Sequence, residues 1–223
     1  RHQLQWLQDN GYETLTLRDS VRKNRTQEKV AVLTFDDGYA DNYHIVFPLL
    51  KEFGMTATIF LVAKSISTDQ IFNWDEPKIS QQGAREDFEI LTWEQIHEMK
   101  TYGIEFGSHT CTHRHLPTLS LYEQEREIED SKEQLEKRLQ EAVTSFCYPA
   151  GRLTKDTVKL VEQSGYEVGV LTARGQGEPQ GKFTLRRVGI YYHVTPLMFR
   201  LKVHPFIRQV REPLQELRGC LPL

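Results

Sequence analysis

Short apolar runs alternate with longer amphipathic stretches along this chain. The run from Val30 to Phe35 is β-branched and unbroken, which is typical of a strand buried on both faces. Similar runs predict further strands at 57–62, 103–107, 145–148, 167–171 and 187–192. Helical spacing of apolar residues lies between them, at 42–53, 92–102, 120–140 and 154–163. This alternation of strand and helix predicts a parallel sheet with right-handed crossovers.

A series of at least six strands favours an α/β barrel of TIM type, in one domain, over a small open sheet. We expect residues 1–28 to form a helical lead-in and residues 29–223 to form the barrel. The polar segment 65–89 interrupts the alternation and predicts a long loop, a kind of segment that is often functional. Within this loop, Trp74 either stacks on a sugar or packs against its own domain.

Composition and charge exclude several classes of partner. With 223 residues, 39% hydrophobic and 26% charged, the chain is a folded globular protein rather than a disordered or collagen-like one. Its net charge of -3 supplies no basic field for nucleic acid, so no nucleic-acid partner is predicted. Three cysteines, Cys111, Cys147 and Cys220, are too few for a disulfide framework.

The sequence contains no transmembrane segment, because no apolar run approaches the roughly 20 residues that cross a bilayer. It also begins without a secretory signal, at residues typical of the middle of a helix. We therefore expect that a leader, either a signal peptide or an anchor, has been trimmed from this end.

Two adjacent carboxylates, Asp36 and Asp37, follow the first predicted strand. Carboxylates at a strand end can divide the work, one binding a cation while the other takes a proton. The alternative is an ordinary Asp-Gly turn with a helix-capping aspartate.

Two histidines, His109 and His113, follow the strand predicted at 103–107. Spaced i, i+4, they can bind one metal if the segment makes a helical turn, and the alternative is a chance pair among eight histidines. Cys111 lies two positions from each and would point away, so we predict that it is buried and inert. Two histidines and one aspartate at strand ends match the three-ligand pattern of catalytic zinc.

A third segment, Phe146 to Arg152, runs from a strand into Pro149 and Gly151. Such a rigid turn can offer backbone amides to a ligand, although a simple strand-ending turn is the alternative.

Together, the segments TFDDG, SHTCTH and FCYPAG resemble the motifs of the NodB-homology polysaccharide deacetylases, carbohydrate esterase family 4. The flanking segments LTFDDGYADN, ATIFLV, LTWE and GIEFGSHTCTH match as well, and the resemblance covers about Leu4 to Arg200. It implies a distorted (β/α) barrel, usually of seven strands. It also implies a metal-dependent hydrolase that removes acetyl groups from an N-acetylated saccharide. Chitin-like polymers, peptidoglycan and poly-N-acetylglucosamine are the expected substrates, at an extracellular, periplasmic or cell-envelope location.

The resemblance also assigns roles by position. Asp37, His109 and His113 would hold a divalent metal, usually Zn²⁺. Asp36 would be the general base, since a divalent cation lowers the pKa of water from about 15.7 to about 7. The third motif would bind the oxyanion and substrate through Tyr148, Pro149 and the backbone N–H of Ala150.

The chain departs from the family at two positions. An arginine that often braces the catalytic aspartate is replaced by Cys147, and we hypothesise that Arg187, which resembles a recurrent arginine of one branch, supplies the brace. The family's general acid, a histidine in a late Leu-x-His motif, is missing. His193 and His204 are the candidates, each alternatively a surface or packing histidine. The tryptophan expected to line the acetyl pocket is not identifiable.

Two other functions compete with the deacetylase. One is a carbohydrate-binding pseudo-enzyme in which catalysis has decayed, and the other is a hydrolase of a non-sugar amide. The intact metal and base positions argue against the first. Oligomeric state has no signature in the sequence.

Overall fold

The computed structural model describes residues 1–23, 29–69, 71–82, 85–172 and 181–204. Within these ranges the strands are β1 (Glu13–Leu15), β2 (Val30–Val32), β3 (Thr34–Phe35), β4 (Thr58–Leu61), β5 (Glu105–Ser108), β6 (Ser145–Cys147) and β7 (Val168–Val170). The α-helices are α1 (His2–Asp9), α2 (Leu17–Arg22), α3 (Phe47–Phe53), α4 (Glu76–Gln82), α5 (Trp93–Tyr102), α6 (Leu121–Leu139), α7 (Lys155–Gln163) and α8 (Pro196–Val203).

Five of the strands form one curled parallel sheet in the order β3-β4-β5-β6-β7, and β1 pairs with β2 in a separate parallel ribbon. Each step across the larger sheet follows chain order, as expected when helices connect neighbouring parallel strands. The predicted α/β fold, a distorted barrel in a single domain, is thereby confirmed.

The run from Val30 to Phe35 forms two short strands rather than one. Its first half pairs with β1, whereas its second half pairs with β4, and the change falls at Leu33, whose carbonyl accepts from Thr58 N. All six residues are half-buried, so the prediction of burial on both faces was wrong. Because β2 pairs only with β1 and β3 pairs only with β4, each half of this run is an edge strand and stays partly exposed.

Three further predictions about elements need correction. The lead-in 1–28 is not purely helical, because β1 lies between α1 and α2. The predicted loop 65–89 contains α4 and a 3₁₀ turn at Arg85–Phe88. No strand forms at 187–192, where a single parallel bridge from Leu185 to Val170 ends the pairing instead. Residues 205–223, including Cys220, lie outside the described ranges.

The predicted helices are present, and three of them begin at a side chain that caps the first turn. Thr92, Ser120 and Thr154 each accept from the third backbone N–H of α5, α6 and α7, in reciprocal capping boxes. The segment 42–53 begins as a π-helix, Asn42–Val46, before continuing as α3. In the described part of the chain, none of the helices combines the length and apolar character needed to cross a membrane.

The first residue of β5, Glu105, carries a buried carboxylate at the amino-terminal end of the sheet. One oxygen accepts from Ser145 Oγ at 2.5 Å. The other accepts from Thr58 Oγ1 at 2.8 Å and from the Arg18 N–H in the first turn of α2 at 3.0 Å. Glu105 therefore ties β4, β5, β6 and α2 together at the end of the sheet opposite the candidate motifs.

We expect Glu105→Gln to lower the free energy of unfolding by about 2 kcal/mol, because an amide NH₂ cannot accept from the buried donors that the carboxylate now satisfies. Urea unfolding at neutral pH measures the loss. Glu52→Gln is the control, because it removes an exposed ion pair with Arg1 and should cost at most about 1 kcal/mol. Equal losses in the two variants would contradict the role given to Glu105.

Candidate functional site

The candidate motifs meet at one edge of the sheet. Asp36 and Asp37 follow β3, His109 follows β5, and the Pro149–Gly151 turn follows β6. Because these strands are parallel, their carboxyl ends lie on the same side. Arg187 reaches this edge from the segment that follows the Leu185 bridge.

Three side chains converge on a potential metal position. Asp37 Oδ1 lies 3.5 Å from His109 Nε2 and 3.4 Å from His113 Nε2. Asp37 Oδ1 is buried, and none of the described residues donates a hydrogen bond to it. A carboxylate oxygen that faces two imidazole nitrogens and receives no hydrogen bond is free to bind a cation. These three atoms form a ligand set that a divalent cation fits.

The two histidines also suit metal binding. His109 Nδ1 lies 2.7 Å from the Cys147 carbonyl, which only accepts, so Nδ1 carries a hydrogen and Nε2 is the ring nitrogen that faces Asp37. Burial, followed by the nearby His109, lowers the pKa of His113 to about 3, so its imidazole is neutral. Neutral imidazoles are the form of histidine that binds metals.

The electrostatics of Asp37 indicate a missing positive charge. Burial raises the pKa of Asp37 to about 6, and the charges of Asp36 and Asp75 act in the same direction against His109 and Arg187. A carboxylate that is this poorly compensated is stabilised by a bound cation. The residues present therefore fit a divalent metal.

Backbone strain concentrates in the same motifs. Among the described non-glycine residues, six have positive φ, and Asp37 (71°), Thr110 (67°), His113 (59°) and Ala150 (54°) are four of them. Left-handed residues cost on the order of 1–3 kcal/mol each and cluster at functional sites. The two histidines meet without the helical turn that their spacing would need. Their segment instead has positive φ at Thr110 and His113, and His113 N donates to Thr110 Oγ1.

Asp36 forms a bidentate ion pair with Arg187. Arg187 Nη1 and Nη2 donate to the two carboxylate oxygens at 2.8 Å and 2.7 Å. The same guanidinium donates to Thr34 Oγ1 at 2.9 Å and to the Leu171 carbonyl at 2.8 Å. Burial opposes the charge of Asp36, but the hydrogen bonds and charge of Arg187 outweigh it and hold the pKa of Asp36 below its ordinary value. The contact expected for the hypothesised brace is present.

Cys147 fills the space beside this ion pair. Its Sγ lies 3.7 Å from Asp36 Oδ1 and 3.2 Å from Arg187 Nη2. Burial raises the pKa of this thiol well above its usual value, so the side chain is neutral. Cys111 is also buried, as predicted, and burial raises its pKa to about 12.

The third motif forms a 3₁₀ turn, Pro149–Gly151, in which Ala150 is exposed. The turn closes through Gly151 N to the Tyr148 carbonyl and Arg152 N to the Pro149 carbonyl, so it does not use the Ala150 N–H. The Tyr148 side chain is fully buried against Phe146, which makes it part of the core.

The two candidate acids are not gathered into this cluster. His193 is exposed and contacts the rings of Tyr191 and Tyr192. His204 is an exposed residue at the end of α8. Within the described ranges, no contact of either histidine with Asp36, Asp37 or the metal-site histidines is present.

Sequence reasoning did not assign Trp74 to the site. Its ring centroid lies 4.5 Å from that of His113, and its indole N–H donates to Tyr39 Oη at 3.0 Å. Trp74 as a residue is 39% exposed, so it packs against its own domain while keeping part of its surface free. The available signal was its position in the segment after β4, whose carboxyl end lies at the same edge of the sheet.

Comparison with known proteins agrees with this geometry. A family model described as polysaccharide deacetylase matches residues 23–169. The putative polysaccharide deacetylase YxkH of Bacillus subtilis (strain 168) is 37% identical over 192 residues, which cover 84% of this chain and 62% of that protein. The poly-beta-1,6-N-acetyl-D-glucosamine N-deacetylase of Escherichia coli (strain K12) is 34% identical over 117 residues, covering 49% of this chain and 16% of that one. The chain thus spans less than two thirds of either relative.

Solved structures show the same likeness. The Streptococcus pyogenes deacetylase PplD, in complex with acetate, superposes with a TM-score of 0.74 at 29% identity, over 92% of this chain and 85% of that one. BC0361, a polysaccharide deacetylase from Bacillus cereus, gives 0.73 at 27% identity, over 90% and 59% of the two chains.

We expect Arg187→Ala to destabilise the protein by about 2 kcal/mol, because it leaves the half-buried Asp36 carboxylate without its ion-pair partner. The double variant Arg187→Ala with Asp36→Asn should recover part of that loss, since no charge is then left without a partner. Urea unfolding of wild type, both single variants and the double variant measures the coupling. Strictly additive losses would show that the two side chains do not act as a pair.

Proposed function

The chain belongs to the polysaccharide deacetylase family, and from this premise we propose that it is a divalent-metal-dependent hydrolase that removes N-acetyl groups from a saccharide polymer. One observation carries the proposal: Asp37, His109 and His113 converge beside a carboxylate, Asp36, that Arg187 keeps ionised. The name of the Escherichia coli relative supports poly-N-acetylglucosamine as a substrate. Chitin-like polymers and peptidoglycan offer the same acetamide, and we place the activity outside the cell or in its envelope.

In this proposal Asp37, His109 and His113 hold the cation, and Zn²⁺ is the metal that we propose. One carboxylate oxygen and two imidazole nitrogens form a ligand set suited to zinc, and three protein ligands are typical of catalytic rather than structural zinc sites. When bound, such a cation is a Lewis acid that polarises a carbonyl and lowers the pKa of water towards neutrality.

Asp36 takes the role of general base. A base must be ionised before it can accept a proton, and Arg187 secures this by outweighing the effect of burial on the pKa of Asp36. The bidentate contact also fixes the plane of the carboxylate, because each oxygen is bonded to a different nitrogen of the guanidinium. Arg187 is therefore proposed as a positioning residue for Asp36.

The backbone N–H of Ala150 takes the role of oxyanion donor. It is not consumed in closing its own turn, and the exposed position of Ala150 leaves it accessible to a ligand. Pro149 and the buried Tyr148 hold this turn against the core. Because the donor is the backbone N–H, the small side chain of Ala150 does not weaken this hydrogen bond to the oxyanion.

We expect acetate release from poly-N-acetylglucosamine, chitooligosaccharides or peptidoglycan, abolished by a chelator and restored by Zn²⁺. Asp36→Asn should lower the rate at least about 10²-fold, because an amide cannot accept the proton. Asp156→Asn, which alters an exposed carboxylate on α7, is the matched control and should retain the wild-type rate.

Other outcomes of this assay contradict the proposal in different ways. Undiminished release from Asp36→Asn would refute its assignment as base. Saccharide binding without turnover on any acetylated polymer would favour the carbohydrate-binding pseudo-enzyme. Turnover confined to amides without a sugar would favour the third candidate function.

The leaving amine must gain a proton, and His193 is the donor that we propose for it. If this is correct, His193→Gln lowers kcat about 10²-fold or more, because glutamine cannot transfer a proton. The measurement is acetate release under saturating substrate, with His204→Gln as the control. An unchanged rate for His193→Gln would move the role to Asp36, which carries a proton once it has acted as base.

A further inference from the structure

Trp74 packs directly against a residue of the metal site. Its ring stacks on Phe72, with centroids 4.4 Å apart and planes 9° apart, and its centroid lies 4.5 Å from that of His113. The centroids of Phe72 and His113 are 6.2 Å apart. The lines from the Trp74 centroid to these two centroids are therefore nearly perpendicular. Phe72 therefore supports one face of the indole while His113 rests against another side of it.

A chain of hydrogen bonds holds the indole in this position. The Trp74 Nε1–H donates to Tyr39 Oη at 3.0 Å, and the Tyr39 hydroxyl donates to Asp75 Oδ2 at 2.5 Å. Lys78 Nζ donates to the other oxygen of Asp75, also at 2.5 Å. Asp75 is only 1% exposed, so the carboxylate that anchors this chain is itself fixed. Hydrogen bonds to a buried carboxylate are among the stronger ones in proteins.

This series of hydrogen bonds connects the two motifs that supply the metal site. Tyr39 lies two residues after Asp37, and Trp74 contacts His113. Tyr39 is also held by an antiparallel bridge to Ile90 and by an edge-to-face contact with Phe72. These contacts thus connect the positions of Asp37 and His113 through Trp74, whose side chain belongs to neither motif.

The two histidines of the site are held differently. His109 has the hydrogen bond from Nδ1 to a backbone carbonyl that usually orients a ligating imidazole. His113 Nδ1 is buried, and no partner for it exists among the described residues. Its ring is instead flanked by the aromatic rings of Trp74 and His109.

We propose that Trp74, held by Tyr39 and Asp75, is a positioning residue that orients His113 and thereby sets the affinity of the site for a divalent cation. Aromatic packing takes the place of the missing hydrogen bond at His113 Nδ1. The inference rests on the proposed function, because it takes Asp37, His109 and His113 as the residues that hold the cation.

The test measures Zn²⁺ affinity of the metal-free protein by competition with a chromophoric chelator. Trp74→Ala should weaken Zn²⁺ binding about 10–100-fold, the range expected when support for a ligating histidine is lost. Tyr39→Phe should weaken it by a smaller factor, because it removes the acceptor for Trp74 Nε1 and the donor to Asp75 but keeps both rings. Trp93→Phe, at the start of α5 beside His97 and Arg138, is the matched control and should bind as wild type.

A second measurement reports the position of the indole. Co²⁺ held by the site should quench the fluorescence of Trp74, so wild type and Trp93→Phe lose emission on Co²⁺ titration. Trp74→Phe should lose most of this quenching. Circular dichroism and thermal unfolding of each metal-free variant establish that it is folded.

The outcomes separate this inference from the proposed function. Trp74→Ala and Tyr39→Phe binding Zn²⁺ within twofold of wild type would overturn the inference and leave the proposed function intact. A wild-type protein without measurable Zn²⁺ affinity would overturn both. If Trp74→Ala does not fold, Tyr39→Phe and Trp74→Phe decide, and wild-type affinity in both would refute the inference.

Discussion

The ion pair between Arg187 and Asp36 is the interaction on which the rest of the site depends. It joins residues 151 positions apart and brings the segment after the last sheet pairing to the first motif. Asp36 and Asp37 are adjacent, and two neighbouring carboxylates in a buried site repel each other when both are ionised. Arg187 forms its bidentate ion pair with Asp36, whereas Asp37 Oδ1 has no donor among the described residues and fits a cation. In the function that we propose, this ion pair assigns two identical residues to two different roles.

Stability and chemistry are placed at opposite ends of the sheet. At the amino-terminal end, Glu105 satisfies donors from two strands and a helix. At the carboxyl end, Asp37, His113 and Ala150 occupy left-handed conformations, and Asp37 Oδ1 is left without a donor. The strain is tolerated because the surrounding strands and caps are well satisfied.

The site also shows how a departure from the family pattern is compensated. Cys147 occupies the position where the family often has an arginine, and a neutral thiol cannot balance the charge of Asp36. Arg187 reaches the same carboxylate from another segment and contacts the Cys147 sulfur on the way. His113 offers a parallel case, because the packing of Trp74 stands where His109 has a hydrogen bond. At Asp36 the ion-pair partner comes from a residue distant in sequence, and at His113 we propose that a distant residue likewise takes the place of a hydrogen bond.

The sequence by itself determined the features that local patterns encode. The alternation of apolar runs and helical spacing specified the parallel α/β barrel, and the motifs around Asp36, His109 and Pro149 placed the chemistry at strand ends. Only the tertiary structure decided that the run from Val30 to Phe35 divides between two partners, that β1 exists, and that Trp74 lies against His113. A three-residue strand has too few positions to show a periodicity. A contact between side chains that are distant in sequence leaves no periodic pattern in the sequence. Such features depend on the free energy of packing distant segments together, which no local pattern records.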